Sequence, residues 1–120
     1  AAYVSMLNSC KYSLTHHWNN AVSLLGNRKR AEEIRIALRT QKFQNVFDKK
    51  EIAILNYSQK LTQSVREMEE SDIEKLKKWG CDDGEILEVN QVVAYFNYSN
   101  RLLNGLGVSL DGDKIGYYRA

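Results

Sequence analysis

Residues 10–18 read Cys-Lys-Tyr-Ser-Leu-Thr-His-His-Trp, a thiol, a hydroxyl and two imidazoles in one short stretch. On a helix turning about 100° per residue, His17 falls about 20° from Cys10, and Ser13 about 60° away. Cys10, Ser13 and His17, at steps of three and four, therefore share a face. His16 falls about 120° from Cys10, beside Asn20 and Ser23 on what reads as the wet flank. A thiol in the first turn of a helix meets unpaired N–H groups and the positive end of the dipole, so ionisation is favoured. An imidazole two turns along can hold or relay a proton near neutral pH. A thiolate so placed can attack a peroxide oxygen and become a sulfenic acid. The same residues have a plainer reading: cysteine is among the most buried residue types, and a histidine on an apolar face is usually only hydrogen-bonded. Spacing alone leaves both open. A metal site has less support, because adjacent histidines cannot point the same way on a helix and no second ligand cluster appears.

The elements that must position this stretch read as helices throughout. A short segment over Ala1–Leu7 breaks at Asn8-Ser9. A second helix spans Cys10–Leu25 and closes at Gly26, with Leu14, Trp18, Ala21, Leu24 and Leu25 as its buried stripe. A third covers Lys29–Thr40, and a fourth Lys49–Thr62 behind an Asp48 cap, with Ile52, Leu55 and Leu61 inward. Ser71 and Glu74 fit a capping box for a helix that stops at Gly80. The long last helix, 82–107, carries Ile86, Val89, Val93, Phe96 and Leu103 as one stripe, broadened by Val92, Ala94, Tyr95 and Leu102. So wide an apolar surface requires cover on several sides, part of it from another subunit. Gly105 and Gly107 are the expected terminators, and Asn97, Asn100 and Arg101 the expected interhelical hydrogen-bonding residues.

The chain has 120 residues, 43% hydrophobic and 27% charged, the balance of one globular domain. A net charge of +2 gives no reason to expect nucleic acid, and Asn27-Arg28-Lys29-Arg30 reads as a solvated helix start. The charged run 66–78 reads likewise as a solvated face. No apolar run approaches the roughly 20 residues that cross a bilayer, so no membrane partner is expected. Two cysteines far apart make no disulfide framework and point to a reducing, cytoplasmic setting. The sequence opens without Met and already in helical pattern, so upstream helices are expected to precede it.

The stretch LNSCKYSLTHH resembles the core motif of the alkylhydroperoxidase AhpD-like and carboxymuconolactone decarboxylase superfamily, Cys-x-x-Cys-x-x-x-His at a helix start. Residues 60–110 resemble the C-terminal half of its peroxidase-related subfamily, with AYFNYSNRLLNGLGV the most specific element. The resemblance implies an all-helical AhpD-like bundle, a homo-oligomer, and redox chemistry on hydroperoxides with no cofactor and an external thiol as reductant. Cys10 matches the first motif cysteine, Ser13 the second and His17 the motif histidine. In redox-active members the second cysteine attacks peroxide and the first resolves it, and a glutamate about a dozen residues upstream completes a proton relay. That position would precede Ala1. Ser13 cannot form a sulfenic acid, so Cys10 either works alone or the activity is lost. Cys81, in the turn before the last helix, reads as a loop or cap cysteine.

Three functions follow as expectations. One is a peroxidase-like antioxidant enzyme with Cys10 as thiol, His17 as proton shuttle and Ser13 as hydrogen-bond donor. Another is a non-catalytic oligomeric relative with a decayed site. The third, a lactone decarboxylase, would use His17 or His16 as base and tolerate loss of Cys10.

Overall fold

The structure, a computed structural model, describes residues 1–116. All its regular elements are helical: α1 (Ala2–Leu7), α2 (Lys11–Leu25), α3 (Arg28–Thr40), α4 (Lys49–Gln63), α5 (Glu70–Lys78) and α6 (Asp83–Leu106), with one 3-10 turn at Val65–Glu67. Among the described residues no helix is long and apolar enough to cross a membrane. The element order follows the apolar periodicity and the caps. Asp48 accepts from the Glu51 amide at 2.8 Å while Glu51 accepts from the Asp48 amide at 3.1 Å. Asn27 and Asp82 cap α3 and α6 from one side only, each side chain accepting from the amide three residues on.

The start of α5 differs from the sequence expectation. Ser71 lies inside the helix, where its hydroxyl donates to the Glu69 carboxylate at 3.0 Å. Glu69 is the N-cap, and Asp72 at the third helical position accepts from its backbone N–H at 2.9 Å. A carboxylate does here what Glu74 was expected to do, two residues earlier. Gly105 does not terminate α6 either. The helix runs through it, and Gly107, at φ +67°, makes the closure.

Two apolar clusters share α4. Tyr57, Leu76, Cys81 and Ile86 join α4, α5 and α6, with Leu61 and Val89 packed against them. Tyr3, Leu38 and Phe43 join α1 to α3 and the following loop, with Trp18, Ile52 and Leu55 alongside. Tyr3 meets Phe43 edge-on at 5.8 Å between ring centroids. The inward stripe of α6 is as expected at Ile86 and Val93, while Val92, Tyr95 and Leu102 stand exposed on this chain.

The turn that sets the cysteine stretch in place is a backbone closure. At the end of α1 the Ser9 amide bonds to the Met6 carbonyl at 3.1 Å and the Cys10 amide to the Ser5 carbonyl at 2.9 Å. This pair of bonds is the Schellman pattern, which needs a left-handed residue at the first position past the cap and favours an apolar one at the next. Ser9 takes the left-handed conformation at φ +50°. After α5 the same bonds run from Gly80 to Lys77 and from Cys81 to Leu76. Cys10 and Cys81 thus hold equivalent stations, and both are buried. Only Gly80 has the residue type that the geometry favours. A side chain at φ > 0 costs about 1–2 kcal/mol, against about 0.5–1 kcal/mol of extra unfolded-state entropy for glycine. Ser9→Gly is therefore expected to stabilise the fold by about 0.5–1 kcal/mol, read as a higher urea midpoint at unchanged slope. A lower midpoint would contradict this account of the turn.

Candidate functional site

Cys10 stands at the N-cap of α2 instead of in its first turn, and its side chain makes no capping hydrogen bond. It is fully buried. Its amide is used by the closure of α1, and its carbonyl accepts from Leu14 at 2.9 Å. The burial follows from the backbone: the residue after a left-handed cap is turned back against the helix it closes.

The buried face of α2 is polar, unlike the apolar stripe expected of it. Ser13, His16 and Asn20, at steps of three and four, are the residues that go inside. Leu24 and Leu25 are exposed, and Trp18 is half-buried against the second cluster. The reason is what α2 meets. Opposite Ser13, α1 presents Ser5, and the two hydroxyls lie 2.8 Å apart. Asn100 of α6, fully buried, donates to the Ser5 hydroxyl at 3.2 Å and accepts from the Asn8 side chain at 3.1 Å. Asn8 also donates to Asn97 Oδ1 at 3.0 Å, Asn97 donates to Thr62 of α4 at 2.9 Å, and Arg101 donates to Asn97 Oδ1 at 2.8 Å. A continuous hydrogen-bonded path therefore runs from Ser13 through α1 and α6 to α4. No buried side-chain polar atom among the described residues lacks a partner, the condition under which a polar interior is tolerated.

The two histidines exchange the environments expected of them. His16 is 2% exposed. The C-terminal segment folds back over it: the Asp113 carboxylate lies 3.3 Å from Nε2, and the Gly116 amide donates to Nδ1 at 3.1 Å. With Nδ1 accepting, the ring hydrogen sits on Nε2 and points to Asp113. His17 is the half-buried one, its ring edge-on to Phe96 at 4.7 Å. Burial holds its pKa below the ordinary 6.5. At neutral pH His17 is an uncharged base.

Ser13, His16 and His17 come together in one cleft of about 260 Å³, walled by Tyr12, Tyr95, Phe96, Ser99 and Leu103. Of the three residues chosen from spacing, Ser13 and His17 line it, and Cys10 does not. Sequence reasoning missed Tyr12, Ser99 and the return of residues 113–116. The polar triplet at helical spacing in α2 was the available signal. Among the described residues no group of three His, Cys, Asp or Glu side chains gathers to hold a metal ion. Neither a scan against protein-family models nor a search of curated proteins returns a match.

A direct check of the cleft's electrostatics is the titration of the His17 imidazole by NMR. The His17 ring is expected to titrate with a midpoint below 6.5. A midpoint at or above 6.5 would mean that burial does not set its state.

Proposed function

We propose that this chain is an AhpD-like protein, peroxidase-related in type, that assembles as a homo-oligomer in the cytoplasm and reduces hydroperoxides through Cys10. The observation that carries the reading is the shared cleft of Ser13 and His17. These are the positions at which the resemblance puts the attacking thiol and the proton-handling imidazole. The other motif position, Cys10, is the buried one, which fits a resolving role more than an attacking one. With serine at the attacking position, the only motif sulfur able to be oxidised lies one turn behind the cleft. The wide exposed surface of α6, Val92, Tyr95, Tyr98, Leu102 and Leu106, supports the oligomer.

The reaction balances with an external thiol. The Cys10 thiolate attacks one peroxide oxygen, the O–O bond breaks, and the leaving alkoxide takes the thiol's proton by way of neutral His17, giving an alcohol. Ser13 donates a hydrogen bond to the oxygen being transferred. Two equivalents of an external thiol then return the sulfenic acid to the thiol, releasing water and a disulfide. Attack requires the α1–α2 turn to open, because Cys10 has no exposed surface in the closed fold.

That burial also favours a second reading: a non-catalytic relative that keeps the site's frame. Two measurements separate them. One equivalent of cumene hydroperoxide followed by dimedone is expected to label Cys10 and spare Cys81, with the site identified by mass spectrometry. Ser13→Cys is expected to raise peroxide consumption and to form a disulfide with Cys10. No Cys10 adduct, with a gain in Ser13→Cys, selects the non-catalytic relative. No adduct and no gain in a folded variant would end both readings.

A further inference from the structure

A second cleft, of about 430 Å³, lies between α4 and α5 and shares no residue with the first. Its size is that of a small-molecule pocket. Ala53, Tyr57 and Trp79 supply apolar wall, and Asn56, Lys60, Asp72 and Lys75 supply the polar groups.

Asp72 is the one carboxylate in the lining, and its charge is already answered. It is buried, accepts from Lys60 Nζ at 2.9 and 3.0 Å, and accepts from the Glu69 amide at 2.9 Å. Burial raises its pKa, but the Glu69 amide, Lys60 and, at longer range, Lys75 outweigh this and hold it below the usual carboxylate range. Glu67 and Glu69 add negative potential at Lys60. Lys75 is exposed and makes no ion pair among the described residues. Lys49 and Lys78, likewise without a carboxylate partner there, each hold their ammonium 5.0 Å from the centroid of the Trp79 ring. Lys75 and Trp79 both line the cleft, and Lys49 and Lys78, outside the lining, reach the Trp79 ring. Three ammonium groups therefore converge on that side, with Asp72, shared between Lys60 and Lys75, the one carboxylate of the wall. Such convergence is unfavourable for the empty protein and favourable for an anion that enters.

We propose that this cleft binds a small anionic molecule with a flat apolar body, its charged oxygens taken by Lys75 with support from Lys49 and Lys78, and its body lying against Trp79 and Tyr57. The shape requires both parts: the lysines recognise an oxyanion, and the apolar wall excludes a fully hydrated ion. The site is independent of Cys10, so its failure leaves the thiol reading untouched.

The test uses phenyl phosphate as probe, with inorganic phosphate and phenol as its two halves. Trp18→Phe leaves Trp79 as the sole tryptophan reporter. Phenyl phosphate is expected to change Trp79 fluorescence saturably at low salt, with each half binding at least about tenfold more weakly. Lys75→Gln is expected to weaken phenyl phosphate about tenfold, as loss of one charge-assisted hydrogen bond does, while Lys75→Arg retains it. Heteronuclear NMR on the unmodified chain, following the Trp79 indole, repeats the titration without the Trp18 change. Absence of saturation, equal affinity for inorganic phosphate, or indifference to Lys75→Gln would each overturn the proposal.

Discussion

Asn100 is a fully buried amide in the C-terminal third of a 24-residue helix, and its two hydrogen bonds tie α6 to a helix of only six residues and to its cap, Asn8. A six-residue helix has no independent stability in water. What holds α1 is tertiary: Tyr3 and Val4 buried on one side, and Ser5 and Asn8 gripped by Asn100 on the other. The site inherits this constraint. Ser13 meets Ser5, and Cys10 is placed by the Ser5 carbonyl. Each buried polar group left unpartnered costs about 1–3 kcal/mol, so one deletion in the path propagates to its neighbours.

The same constraint explains why thiol and cleft are separated. The backbone closure of α1 turns Cys10 inward, as the closure of α5 turns Cys81 inward. The hydroxyl one turn later, at Ser13, reaches the cleft. Burial of Cys10 is thus a property of the turn, and reactivity there depends on how often the turn opens. A high local opening cost would silence the thiol; a low one would expose it without unfolding the domain.

Much of the fold was legible in the sequence because its signals are local. Asp48 with Glu51, Gly26, Gly80 and Gly107 marked ends that backbone chemistry fixes, and the 86–93 stripe marked the inward side of α6. The cleft was less legible. A helical wheel places residues around an axis but does not say which side is inside. In α2 it favoured Leu24 and Leu25, yet the neighbours of this helix are the serine and asparagine side chains of α1 and α6. His16 was misplaced for a related reason: its cover comes from Asp113 and Gly116, about a hundred positions away. No periodicity reports a contact of that range. Asn97 and Asn100 were legible as interhelical hydrogen-bonding residues because polar groups at helical spacing on an apolar helix need partners, whereas the bonds of Arg101 run to Asn97 within α6.

The coupling between α1 and α6 is the quantity on which this account rests, and a double-mutant cycle on Ser5→Ala and Asn100→Ala measures it. Urea unfolding of the four proteins is predicted to give an interaction energy of about 1–2 kcal/mol, because the first deletion removes much of what the second would cost. Strictly additive effects, with an interaction near zero, would mean that the two residues are held separately. The buried polar path would then not be what fixes α1, and with it the cysteine turn, in place.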